Sequence, residues 1–148
     1  MPEQGSTEEE AVLREVARVT AQPERRPVYL AGPIFGCTDE ACMRWRQEAR
    51  HIVGSVLDPM VRDYRGQEAT NAEAIVRGDL ADIASCRAVL VNAERASWGT
   101  AMEIVYATMF RIPVVAFCSG PVSPWLQVHA NAVYASQDDA IAAVSAIP

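Results

Sequence analysis

The sequence has no lysine; all 13 of its basic residues are arginine. Schiff-base catalysis and a lysine-dependent phosphate loop are therefore excluded. Positive charge is also short overall, with a net charge of −6 and a pI near 4.9. A chain built to grip a nucleic acid polymer is expected to be basic, so that class is set aside. No apolar run approaches the roughly 18–20 residues of a membrane span. The opening MPEQGSTEEE is acidic and polar, unlike a secretory signal, and a cytoplasmic protein is expected. The four cysteines, Cys37, Cys42, Cys86 and Cys118, match no CxxC or zinc-ribbon spacing and read as reduced thiols. Cys37, Cys42 and His51 could offer a metal site, but the reading adopted is no metal and no cofactor.

What is present suits one folded domain. Half of the 148 residues are hydrophobic and 22% are charged, which excludes a disordered chain. Residues 1–26 read as an N-terminal helical extension. Val12, Leu13, Val16 and Val19 recur at helical spacing behind Glu8–Glu10, and Pro23 and Pro27 end the pattern. Residues 27–148 read as a single domain in which short apolar strands alternate with helices. The strands are expected at Val28–Ala31, Val56–Asp58, Ala88–Val91, Val114–Phe117 and, more weakly, Ala132–Ala135. Helices are expected over Asp39–Val53, with Trp45, Ala49 and Ile52 on one face, over 72–85 with Asn71 as cap, over Ser97–Phe110, and from Asp138 onward. Residues 60–71 read as a polar loop. This alternation predicts an α/β fold, a doubly wound, flavodoxin-like parallel sheet of five strands, with any ligand at the carboxyl ends of the strands.

The carboxyl-end rule selects a few residues. Gly32 opens a tight turn, Gly32-Pro33-Ile34-Phe35-Gly36, that lets backbone approach a ligand, and Phe35 can stack on a base. The turn is not GxGxxG, so the dinucleotide fingerprint is absent. After the third strand, Ser97 or Thr100 can cap a helix, and Gly99 opens its first turn to an anion. Glu103 follows among apolar neighbours, either on a solvated face or buried for a purpose. Asp79 poses the same choice, with Leu80 and Ile83 facing the core and Arg77 or Arg87 as simple ion-pair partners. A strand-end pocket with two carboxyl groups suits cleavage of a glycosidic bond.

Together, Tyr29-Leu30-Ala31-Gly32-Pro33, the GDLADIASCRAVLVN stretch with Asp79, and Ser97-Trp98-Gly99-Thr100-Ala101-Met102-Glu103 resemble the nucleoside 2-deoxyribosyltransferase family. The similarity extends to its nucleotide N-glycosidase branch, and within it to CMP and 5-hydroxymethyl-CMP hydrolases of nucleoside-antibiotic pathways. It covers about residues 27–148. The resemblance implies that Glu103 attacks the anomeric carbon, that Tyr29 orients it, and that Asp79 delivers a proton to the departing base. Glu103 should then be ionised and Asp79 protonated, in a pocket that pushes their pKa values apart. Gly32, Ile34, Phe35, Ser97, Gly99 and Met102 would line the substrate site. Ser97 stands where nucleoside-processing members resemble one another in having an aspartate. A neutral hydroxyl there favours a 5′-phosphate, for which Arg44, Arg46 and Arg77 are candidate partners. The resemblance further implies a homodimer or higher homo-oligomer in which a neighbour's segment, Val128–Val133, closes the pocket. Asn131 is its first candidate contributor and His129 its second. The expected activity is hydrolysis of a pyrimidine nucleoside 5′-monophosphate. The alternatives are base exchange between free deoxynucleosides and a non-catalytic nucleotide-binding module.

Overall fold

Strands form where β-branched and other apolar side chains run together, because the sheet is covered on both faces. The computed structural model describes residues 10–12 and 25–148. It places β1 at Val28–Ala31 and β3 at Ala88–Asn92, with Val114–Phe117 as β4. Every residue of β1 and β4 is buried. The edge strands are shorter: β2 is Val56–Leu57 and β5 is Ala132–Tyr134. All pairings are parallel, in the order β2-β1-β3-β4-β5. That is the flavodoxin-like order, whose switch point lies between β1 and β3.

Alternation along the strands divides the core in two. Val28 and Leu30 face one side, where Trp45 and Ala49 of α1 (Asp39–Val53) and Ile141 and Val144 of α5 (Gln137–Ser145) cover them. Tyr29 and Ala31 face the other side. There they meet Ile83 of α2 (Glu68–Ser85), Ile104 and Ala107 of α3 (Trp98–Met109), and Leu126 of α4 (Pro124–His129). This parity sends the Tyr29 side chain toward α2 and α3, the helices that carry the two suspected carboxyl groups.

Several local expectations are corrected. Asn71 is inside α2, which begins at Glu68, and its side chain donates to Gln67 O at 2.9 Å instead of capping a helix. The final helix starts at Gln137 behind the cap residue Ser136, and α4, absent from the sequence reading, is launched by Ser123 and Pro124. Ile52 is exposed, because the buried face of α1 runs through Cys42, Trp45, Arg46 and Ala49. Leu80 is half-buried, whereas Ile83 is fully buried as expected. The 60–71 stretch is partly ordered: Asp58 accepts from Met60 N and starts a 3-10 turn, Pro59–Arg62. The expected N-terminal helical extension lies, except for residues 10–12 and 25–26, outside the described residues. No described helix is long and apolar enough to cross a membrane.

Candidate active site

A cavity of about 210 Å³ opens at the β1–β3 switch point. Its wall includes Gly32, Ile34 and Phe35 after β1, Asp79 from α2, and Ser97, Gly99, Thr100 and Glu103 from the start of α3. Seven of these eight residues were expected at the site from the sequence, and Thr100 was expected only as a helix cap. Tyr29 lies beneath, fully buried, and its hydroxyl donates to Glu103 Oε1 at 2.7 Å. Asp79 neighbours Glu103, close enough that each carboxyl group shifts the titration of the other.

Burial decides the electrostatics. It pushes the Glu103 carboxyl up to about 8, and the neighbouring charge of Asp79 adds to this, while the Tyr29 hydroxyl and the Arg46 charge oppose it. Burial also raises Asp79, against the pull of Arg62. Tyr29 is driven far above its ordinary value by burial and by both carboxyl groups, so it remains a donor. Burial thus raises both carboxyl groups, Glu103 to about 8. Two carboxyl groups this close titrate as a pair.

Gly32 has a role the sequence did not reveal. A Cβ there would lie 2.7 Å from Trp45 Cζ2 and 3.1 Å from Asn92 Cβ. The bare backbone lets α1 close onto the end of β1. Gly99, by contrast, faces open space. Ser97 occupies the cap position of α3, yet its side chain makes no capping bond, so the hydroxyl is uncommitted to the helix.

The three candidate arginines fail as pocket residues. Arg44 is exposed between Glu40 and Glu48, and Arg77 pairs with Glu73 one turn away. Arg46 is only 1% exposed and is fully engaged. It donates to Cys42 O, Leu30 O and Gly32 O, pairs with Asp58 at 3.3 Å, and lies 4.6 Å over the Trp45 ring. The arginines that do line the cavity are Arg62 and Arg65, both from the stretch read as a plain loop. Arg62 Nη2 contacts Asp79 at 3.1 Å and Asp82 at 2.8 Å; Arg65 holds Asp63 and Asp39. Thus neither Arg77 nor Arg87 is the partner of Asp79, and Arg87 bonds instead to the carbonyls of Ile147 and Arg26. Only the capping signal at Asp58-Pro59 could have flagged order in this stretch.

Met102 and Asn131 are not part of the cavity wall. Met102 points outward, 67% exposed. Asn131 Oδ1 accepts from Val114 N at 2.8 Å, and His129 Nδ1 lies 2.7 Å from Trp125 O. Cys42 is buried with its thiol directed at Ile34 O, and no described cluster of His, Cys, Asp or Glu is arranged to hold a metal ion.

The sequence profile of the nucleoside 2-deoxyribosyltransferase family matches residues 28–135. The chain belongs to that family. No curated protein sequence matches the chain. Among solved structures, a 2-deoxyribosyltransferase from Bacillus psychrosaccharolyticus is 17% identical, covering 82% of this chain and 96% of its own, with a TM-score of 0.66. A conserved protein from Enterococcus faecalis V583 is 15% identical, covering 80% and 96%, with a TM-score of 0.63. The CMP N-glycosidase of Clostridium botulinum is 13% identical, covering 80% and 98%, with a TM-score of 0.54. These likenesses establish the shared fold. The family is one of enzymes.

Proposed function

We propose that this deoxyribosyltransferase-family enzyme is an N-glycosidase that hydrolyses a pyrimidine nucleoside 5′-monophosphate, of the CMP or hydroxymethyl-CMP type. The products are the free base and (deoxy)ribose 5-phosphate. The observation that carries the reading is the hydrogen bond from the fully buried Tyr29 to Glu103, with Asp79 beside it, at the wall of the strand-end cavity. In this reaction the pair holds one proton, which lies on Asp79 once substrate is bound. The Glu103 carboxylate then attacks C1′ while the bond from C1′ to the base breaks. The electron pair leaves with the base, which takes the proton from Asp79. Water next attacks C1′, the C1′–O bond to Glu103 breaks, and the water's proton returns to the pair.

Phosphate recognition falls to the start of α3. The free Ser97 hydroxyl and the first-turn amides can donate to an anion, and Gly99 leaves room for it. An aspartate at position 97 would repel the same group.

The reading extends to assembly. The cavity is smaller than the roughly 300–1,000 Å³ of sites that enclose drug-sized ligands, as suits a pocket lacking one wall. Trp98, Met102, Val105 and Met109 form an exposed apolar stripe along α3, and Trp125 and Val128 of α4 are exposed too. We assign this face to a second copy of the chain, whose Val128–Val133 segment, Asn131 first, would complete the pocket.

A panel of ribo- and deoxynucleoside monophosphates, assayed for free base by chromatography with and without a second base, tests the reading. Release of base and sugar phosphate, lost on the order of 10³-fold or more in Glu103→Gln, is expected. Base exchange without net sugar release would replace hydrolysis by transfer. Binding without turnover across the panel would leave a non-catalytic nucleotide-binding module.

A further inference from the structure

Among the described residues, Arg62 is the cation of the cavity wall that touches the catalytic pair, and the hydrolytic mechanism above gives it no task. It reaches Asp79 and Asp82 with the same nitrogen, Nη2, at 3.1 and 2.8 Å. Its guanidinium rests on Gly78, in the middle of the 18-residue α2. A Cβ at position 78 would lie 2.9 Å from Arg62 Nε and 3.1 Å from Cζ. Glycine inside a helix costs roughly 1 kcal/mol relative to alanine. Here the missing side chain makes the seat on which Arg62 lies flat against the helix, one residue from Asp79.

We propose that Arg62 is a positioning residue that holds Asp79 as an oriented carboxylate, so that the Glu103–Asp79 pair carries one proton at neutral pH and not two. The claim rests on the hydrolytic reading for its consequence in turnover, but its physical content concerns the free enzyme. Two half-buried or buried carboxyl groups side by side tend to keep both protons, because ionising either one is costly in an apolar site. A doubly protonated pair has no ready nucleophile. The guanidinium offsets that cost at Asp79 through Oδ1, leaving the other oxygen to relay the proton. The groups facing the pair from neighbouring elements are Tyr29 of β1, which donates to Glu103, and Arg46 of α1, whose charge reaches Glu103 from a position locked by Asp58. Asp82, on α2 itself, is the second anchor of Arg62. Asp63, Arg65 and Glu68 share the cavity wall, with Arg65 held by Asp63 and Asp39.

The test compares the full-length protein with Arg62→Gln, Arg62→Lys and Gly78→Ala. Carboxyl carbons are followed by ¹³C NMR titration without ligand, and the pH profile of kcat/KM is recorded with the best nucleotide of the panel. In Arg62→Gln the first ionisation of the pair, and with it the acid limb of the profile, should move up by about one pH unit or more. Arg62→Lys keeps the charge and should restore most of the wild-type titration. Gly78→Ala, which displaces the guanidinium without removing it, should move the same ionisation in the same direction by less. Unchanged titration in folded Arg62→Gln and Gly78→Ala would overturn the proposal, even with lower turnover at every pH, since that is how a merely structural arginine behaves. A shifted titration in a protein that cleaves no nucleotide would uphold the control of the pair by Arg62 and refute the hydrolytic reading instead.

Discussion

Glu103 is held by three kinds of force that pull in different directions. Burial and the charge of Asp79 favour its neutral form; the Tyr29 hydroxyl favours the carboxylate. Removing that hydroxyl in Tyr29→Phe leaves the ring packed and should lower kcat roughly 10- to 100-fold, of the order of one positioned group. The alkaline limb of kcat/KM should shift upward in the same variant, as stopped assays across pH 5–10 would reveal. In the wild type this limb should fall as pH passes about 8, when the pair loses its proton. Stability follows the same titration. The folded value lies above the ordinary carboxyl value of 4.5, so the folded state binds this proton more tightly than the unfolded one. The resulting contribution is complete below about 4.5 and is lost as pH rises through about 8. Glu103→Gln is neutral throughout and should gain on the wild type by more than about 1 kcal/mol between pH 5 and pH 9. Urea midpoints at the two pH values measure this. At the mouth of the site, Ser97→Asp should weaken phosphate-bearing substrates selectively. Equal losses on nucleosides and nucleotides would contradict the assigned phosphate contact.

Among the elements, α1 and β1 show how the site's floor is kept rigid. Arg46 ties the helix to three backbone carbonyls and to Asp58, and Gly32 lets Trp45 close on the strand end. Arg46→Met should cost about 3 kcal/mol, since it removes three hydrogen bonds to backbone carbonyls and leaves the 8% exposed Asp58 with the more exposed Arg50 as its ionic partner. Gly32→Ala should cost about 1–3 kcal/mol, because the added methyl meets a ring that is itself packed edge-on against Phe117. Thermal or urea unfolding reads both. The strands that carry this framework were legible in the sequence because burial on both faces leaves short unbroken apolar runs. Tyr29, Asp79 and Glu103 were legible because their neighbours form recognisable motifs in a fixed order. Arg62 was not. Its partners lie 17 and 20 residues away, and nothing local distinguishes it from Arg44 or Arg77. The short α4 was missed because six residues hold too few turns for a periodic signal, and Ile52 was misplaced because the sheet covers a slightly different arc of α1.

At the scale of the whole molecule, the proposed chemistry and the proposed subunit contact fall on different surfaces of one helix. The inner side of α3 carries Glu103 and Ile104, while Trp98, Met102 and Met109 face outward, Trp98 with 85% of its surface exposed. Met102→Glu combined with Trp98→Arg should produce a monomer by sedimentation and lower turnover through a higher KM, with near-wild-type secondary structure. A double variant that remains assembled would place the subunit contact elsewhere. The sheet itself ends in strands of two and three residues. Such stubs expose too few unpaired amides and carbonyls to template another chain's backbone. Oligomers of this protein should therefore grow by side-chain packing and leave the infrared amide I band unchanged on concentration. The same blunt borders guard the folded protein against cross-β aggregation.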